Sequence, residues 1–263
     1  MSEVPNINTD RRSLVKSIAS LPLATVLANK ALAEEVAATL DDVTITTASG
    51  RKVSAALAVP KTTPAPGLLV FHEWWGLNDE VKSAAAEYAK EGFLALAVDL
   101  YEGQSTDQMG EAAKLSQGIR NDPDPARETA VAWANWIRAD ERFGGKLGTV
   151  GWCFGGGWSL NTSIATPVNA TVIYYGNVAK TAEDVASLQG PVLSHFGTED
   201  RFINEEMVGS FEAAMNEAGK PFTTHWYTAD HAFANPSSAV YDEEDAQLSW
   251  GRTLEFLKEN LMS

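Results

Sequence analysis

Lys146-Leu147-Gly148-Thr149-Val150-Gly151-Trp152-Cys153-Phe154-Gly155-Gly156-Gly157 runs from a short apolar strand into a glycine cluster with a thiol at the bend. Residues 151–155 spell G-x-C-x-G, the nucleophile-elbow pattern G-x-S-x-G with cysteine in the serine position. The glycines are a chemical requirement. A nucleophile presented on a sharp strand-to-helix turn leaves no room at the flanking positions, where a side chain would collide with the neighbouring strand or helix. Gly156 and Gly157 extend the permissive stretch, so that a helix over Trp158 to Ala165 can pack close to the sheet. A glycine-rich turn after a strand can also cradle a phosphate, but neither G-x-G-x-x-G nor G-x-x-x-x-G-K-[ST] occurs here. No G-x-S-x-G occurs elsewhere in the chain, so no serine competes with Cys153.

Outward from this turn, strand-like and helix-like segments alternate at the pace of an α/β domain. Val43 to Thr47 and Val53 to Val59 flank Ser49-Gly50, which predicts a β-hairpin. Gly67 to Phe71 and Phe93 to Val98 are continuous apolar runs, as expected of strands buried on both faces of a mostly parallel sheet. Asn78 or Asp79 caps a helix to Glu91, and Gly92 stops it. Glu102 to Asn121 reads as a short helix and loops. Pro123 and Pro125 open a helix whose Ala130, Trp133, Ala134 and Ile137 share one apolar face, with Gly144-Gly145 after it. Ala170 to Tyr175, Pro191 to Phe196 and Phe222 to Tyr227 are further strands, and Asn204 to Ala218 and Asp242 to Leu261 are helices. With no repeat and no linker after residue 66, residues 34–263 read as one domain.

The first residues read differently. Arg11-Arg12-Ser13-Leu14-Val15-Lys16, an apolar stretch from Ile18 to Leu27 and Ala31-Leu32-Ala33 before Glu34 have the three parts of a secretory signal over residues 1–33. The paired arginines resemble a twin-arginine export signal, with a periplasmic or secreted destination; an amphipathic N-terminal helix is the alternative. The apolar run is shorter than the roughly 20 residues that cross a bilayer, so no lasting membrane association is expected.

The 263 residues carry 20 Lys+Arg against 35 Asp+Glu, a net charge of −15. That excess repels phosphate backbones and anionic headgroups, which argues against nucleic-acid and peripheral membrane roles. A single cysteine excludes an internal disulfide framework. A lone thiol kept in an exported chain reads either as functional or as a buried inert side chain.

For Cys153 to act as a nucleophile it needs a base and an orienting acid. In the order nucleophile, acid, histidine, the acid follows a later strand and the histidine precedes the last helix. Gly197-Thr198-Glu199-Asp200 and Thr228-Ala229-Asp230-His231 are those two turns, which selects Asp200 and His231, with Glu199 as the other candidate acid and Asp230 as a loop residue. His225 and His195 lie within strands and read as core imidazoles. His72 ends a strand before Glu73, where structural support outweighs a direct role. The four histidines are scattered, and neither H-E-x-x-H nor C-x-x-C occurs, so no metal or cofactor is implied.

Five motifs in order then carry a resemblance: Phe71-His72-Glu73-Trp74-Trp75-Gly76-Leu77-Asn78, Asp99-Leu100-Tyr101, the Gly151 to Gly156 elbow, Gly197 to Phe202, and His225-Trp226-Tyr227 through His231 to Ala234. Across roughly residues 40 to 260 the chain resembles the dienelactone hydrolase family. The resemblance implies an α/β-hydrolase fold with helices on both faces of the sheet, and a Cys153, His231, Asp200 triad that cleaves ester or lactone bonds through an acyl-thioester. It also implies that Glu73 gates the cysteine proton, and that the Trp74 and Phe154 amides form an oxyanion hole. Trp75, Tyr101, Trp152 and Phe233 are expected to line an aromatic substrate pocket. The family holds a substrate carboxylate with two arginines, and here those places read Gly103 and Asn235. A monomer acting on a less polar ester or lactone is therefore expected, the alternative being a redox-responsive or non-catalytic binding protein on the same fold.

Overall fold

The computed structural model describes residues 29–263. Of the expected export signal, residues 1–28 lie outside the described residues. The remainder enters helix α1 (Lys30–Ala37), capped by the Asn29 side chain, which accepts from the Ala31 and Leu32 N–H groups. Ala33, the last residue of that expected signal, is buried there, and its carbonyl accepts a hydrogen bond from Ser83 Oγ (3.1 Å).

Eight strands form one sheet in the order β1-β2-β4-β3-β5-β6-β7-β8. The hairpin β1 (Asp41–Thr46) and β2 (Lys52–Ala58) turns at Ser49-Gly50, and β2 joins β4 (Leu94–Val98) antiparallel. All remaining pairings are parallel: β4 with β3 (Ala65–Phe71), β3 with β5 (Phe143–Trp152), then β6 (Ala170–Tyr174), β7 (Val192–Gly197) and β8 (Phe222–Tyr227). This is an α/β-hydrolase fold, and the apolar runs of β3 and β4 are buried on both faces as their composition requires.

Helices cover both faces. On one side α2 (Asp79–Lys90) and α8 (Glu243–Leu261) bring Tyr88, Leu257 and Leu261 against the sheet, with Phe93 beside them. On the other, α4 (Asp124–Ala139) contributes Trp133 and Ile137, α5 (Phe154–Ala165) Trp158 and Leu160, and α7 (Glu205–Glu217) Phe211 and Met215. Among the described residues no helix is long and apolar enough to cross a membrane.

Four elements depart from the sequence reading. Helix α5 begins at Phe154 and not at Trp158, so Gly155, Gly156 and Gly157 lie within its first turns. Helix α3 (Met109–Asn121) occupies most of the segment expected as a short helix and loops; its Ala112, Leu115, Ser116 and Ile119 follow the helical i, i+3, i+4, i+7 spacing, which Gly110 and Gly118 had obscured. Strand β5 begins at Phe143, so Gly144-Gly145 lie within it and not in a turn before it. A Cβ on Gly144 would stand 2.9 Å from the Ala65 carbonyl carbon, so glycine lets the two backbones run side by side. A one-turn helix α6 (Ala182–Val185), closed by a capping box between Thr181 and Asp184, was not anticipated.

The register brings the chemistry to one edge. Phe71 pairs with both Val98 and Gly151, Trp152 with Tyr174, Tyr174 with His195, and Gly197 with Tyr227. The residues that follow these strands therefore emerge together at the carboxyl ends of the parallel strands, where such folds hold ligands.

At the elbow, a Cβ on Gly155 would lie 2.3 Å from the Phe71 carbonyl oxygen and 2.5 Å from that of His72. Gly155→Ala is expected to fail to fold or to melt far below the wild type. The control Gly209→Ala, at an exposed position of α7 with nothing within 4 Å, should gain roughly 1 kcal/mol. Thermal unfolding of both variants checks the contrast, and a Gly155→Ala protein as stable as wild type would overturn it.

Candidate active site

Cys153 sits between β5 and α5 with φ 53° and ψ −117°, a backbone conformation that costs a non-glycine residue about 1–3 kcal/mol. Hydrogen bonds hold it there: its N–H donates to the Tyr174 carbonyl (3.0 Å), and its own carbonyl accepts from Gly156 N–H (3.0 Å). Below it, hydroxyls of Thr149, Ser159, Ser163 and Thr171 join β5, β6 and α5 in a buried network.

The thiol lies 3.1 Å from His231 Nε2, and His231 Nδ1–H donates to Asp200 Oδ2 at 2.7 Å. The Asp200 side chain is wholly buried, and its other oxygen accepts from the N–H groups of Phe202 (2.7 Å) and Ile203 (3.0 Å). Glu199, the other candidate acid, is exposed, and Asp230 spends Oδ1 on the His231 N–H (2.6 Å). Burial opposes a charge on His231, but its hydrogen bonds to Asp200 and Cys153, reinforced by the charges of both, push it up to about 10.

Glu73 is buried beside this trio. Asn235 Nδ2–H donates to its Oε2 at 2.9 Å and Tyr175 O–H to its Oε1 at 3.4 Å. Both of its hydrogen bonds thus go to residues other than Cys153. Burial pushes the Glu73 carboxyl up from its ordinary range, against the pull of Asn235, Tyr175 and the His231 charge.

His72 is fully buried. Leu100 N–H donates to its Nε2 (3.1 Å), so Nδ1 carries the proton and donates to the Glu73 carbonyl (2.6 Å). The neutral ring, stacked on Phe154 and packed on Tyr101, thus holds the Glu73 loop in place. His195 is locked between Tyr227 Oη (2.8 Å) and Thr253 Oγ1 (3.0 Å), and its ring stacks on His225; burial keeps His195 neutral.

A cleft of about 900 Å³ opens over Cys153 and His231, with Glu73, Trp74, Trp75 and Phe154 in its wall. Three of the four expected pocket residues are not there. Tyr101 is buried against His72 and Phe154, and Phe233 is wholly buried between Tyr175 and Tyr227, so both rings support the site from the core. Trp152 faces a different cavity, described below. Neither family arginine position supplies a cation: Gly103 N–H closes the turn onto Asp99, and Asn235 holds Glu73.

The sequence reading missed Tyr175, taken only as a strand end. It follows β6 at a positive φ of 34°, the one local signal being the Tyr-Tyr-Gly run, and its ring stands 5.2 Å from that of His231. It also missed Arg120 on α3 and Lys180, both of which line the cleft. Among the described residues no three His, Cys, Asp or Glu side chains converge to hold a metal ion.

The sequence profile of the dienelactone hydrolases matches residues 53–261, which include all five motifs and every residue of the hydrogen-bonded trio. The chain belongs to the dienelactone hydrolase family. As a member it is a hydrolase of carboxylic ester or lactone bonds. The family relatives include Protein usf of Aquifex pyrophilus, 31% identical over 81% of this chain and 96% of that protein, and Carboxymethylenebutenolidase 1 of Cupriavidus pinatubonensis, 27% identical over 82% and 96%. Among solved structures, the dienelactone hydrolase-like promiscuous phosphotriesterase P91 from metagenomic libraries superposes with a TM-score of 0.78 at 24% identity. That match covers 84% of this chain and 99% of P91, a likeness of fold.

In this dienelactone hydrolase family member the fold favours a protonated Glu73. That preference is fully present below the ordinary glutamate pKa of about 4.3, and is lost as pH rises through the raised native value. Glu73→Gln has no proton to lose, so in urea unfolding it is expected to be more stable than wild type at pH 8, with the gap closing toward pH 4. Equal stability at pH 8 would show that the buried carboxylate carries no penalty.

Proposed function

We propose that the chain cleaves a small ester or lactone through nucleophilic attack by Cys153. The observation that carries this reading is the hydrogen-bond chain from Sγ through the His231 ring to a buried Asp200. A charged imidazole beside sulfur favours the thiolate, and Asp200 fixes the tautomer that points Nε2 at it.

Attack of Sγ on the acyl carbon moves the carbonyl electron pair onto oxygen. Trp74 and Phe154 line the cleft together with Cys153, and no hydrogen bond of either N–H to a protein acceptor is found among the described residues. They are assigned the oxyanion, each such donor contributing about 3 kcal/mol. Collapse of the adduct expels the alkoxide, which takes the proton of His231 Nε2, and leaves a thioester on Cys153. Nε2 then removes a proton from water, the hydroxide adds to the thioester, and the thiolate departs with the carboxylic acid as product.

Glu73 is assigned control of the Cys153–His231 pair. A charged Glu73 would be a second counter-ion for the imidazolium, in competition with the thiolate; burial raises the Glu73 pKa and so weakens that competition. Relatives named carboxymethylenebutenolidase and a probable lactonase of Bradyrhizobium support the lactone class. Loss of both carboxylate-gripping arginines, at Gly103 and Asn235, favours a substrate without the dienelactone carboxylate.

With 4-nitrophenyl acetate, wild type is expected to show a burst and an acetyl adduct on Cys153 by mass spectrometry. Cys153→Ala should lose both, and His231→Ala at least about a thousandfold in rate. A wild-type protein with neither burst nor adduct would sink the reading.

Export by the twin-arginine route is proposed with it, on Arg11-Arg12 and the apolar stretch that follows. The chain recovered from the periplasm of a producing bacterium should have an intact mass that begins near Glu34. Periplasmic protein beginning at Met1 would overturn the cleavage.

A further inference from the structure

Behind the Glu73 group lies a second cavity of about 460 Å³, walled by Val81 and Ala84 of α2, Trp152, Tyr174, and Ala246 and Trp250 of α8. Its aromatic walls are braced: Trp152 stacks on Tyr174 with ring centroids 5.5 Å apart, and Trp250 packs on Tyr88 at 4.6 Å. Cys153 and His231 do not line it. It shares Glu73, Trp75, Asn78, Glu80, Tyr175 and Asn235 with the cleft that holds them, so the two spaces are adjoining chambers with one wall in common.

The polar part of that shared wall is weakly fastened. Glu73 is held by one hydrogen bond of ordinary length from Asn235 and by a long one from Tyr175, near the limit at which such a bond counts. A large apolar space with a few convergent polar groups is the usual build of a small-molecule site, and roughly 150 Å³ of apolar cavity is enough to bind benzene.

The geometry points to this chamber as the subsite for an aryl or branched alkyl group of the substrate, reached from the Cys153 cleft across the shared wall that the Glu73–Asn235 hydrogen bond fastens. The inference rests on the thiol-hydrolase reading and deepens it by naming the chemistry that reaches past the reacting bond. It also ties specificity to Glu73, the residue assigned control of the thiol. A group that passes Asn235 disturbs the hydrogen bond that holds Glu73, so filling the chamber and changing the charge balance at His231 become one event.

The test compares kcat/KM for 4-nitrophenyl acetate, 4-nitrophenyl benzoate and 4-nitrophenyl 2-naphthoate, and for benzyl acetate as the arm that carries the ring on the alcohol side. Ala246→Trp, a half-buried position on α8, fills the chamber. It is expected to lower the ratio of the ring-bearing ester to acetate by about tenfold, on the acyl or the alcohol arm according to which group enters. Trp250→Phe enlarges the chamber and should raise the naphthoate-to-acetate ratio, so failure of either variant to fold leaves the other as the test. Ratios within twofold of wild type on both arms in a folded variant would overturn the subsite. The enzyme reading is judged separately: loss of turnover and adduct in wild type refutes it. Toluene binding, followed by tryptophan fluorescence and weakened by Ala246→Trp, still decides whether the chamber takes an apolar ring.

Discussion

The site depends on a residue held where its backbone does not want to be. Cys153 carries a side chain at φ 53°, and the strain persists because the surroundings leave no other path. Gly151 and Gly155 let the end of β5, the start of α5 and the β3 carbonyls approach within distances a Cβ would forbid. The hydroxyl network from Thr149 to Thr171 then keeps α5 from sliding on the sheet. The sulfur is thereby aimed out of the sheet edge, and the site is assembled around that direction by loops from other strands.

The charge on His231 is set by its immediate neighbours. A chain with a net charge of −15 surrounds an imidazole pushed up to about 10, because two local hydrogen bonds and two local charges outweigh burial. Asp200 stays bound within the core through two backbone N–H donors as well as the imidazole, each such bond to a charged group contributing about 1.5–3 kcal/mol. Glu73, with only side-chain donors, is the group that burial pushes toward its acid form. The two carboxyls therefore differ in kind: one is bound by backbone donors and holds the His231 ring, and the other is buried with only side-chain donors. Arg120 and Lys180 in the cleft wall show again that a pocket can differ locally from the net field.

Packing of neutral histidines supports this division. His72, with its tautomer set by Leu100 and the Glu73 carbonyl, holds the loop that carries Glu73 and Trp74, and it does so without charge. Tyr101 and Phe233, expected in the pocket, instead form the aromatic floor under that loop and under Tyr175.

Much of this protein was legible in the order of its residues. Glycine spacing around Cys153, continuous apolar runs at β3 and β4, and turns after the last two parallel strands depend on local sterics and burial, so they determined the α/β-hydrolase fold and singled out Cys153, Asp200 and His231. Helix α3 was hidden because two glycines weaken its local signal while its apolar stripe gains from packing, which no single segment displays. That Asp200 turns inward while Glu199 stays exposed bears out the choice made from the order of the turns, whereas the role of Tyr175 required knowing that its hydroxyl reaches a carboxyl 102 residues earlier in the chain. Only the tertiary structure decided where Asn235 spends its amide, and that a second chamber lies behind it. Both depend on distances between side chains far apart in sequence, which local propensity does not encode.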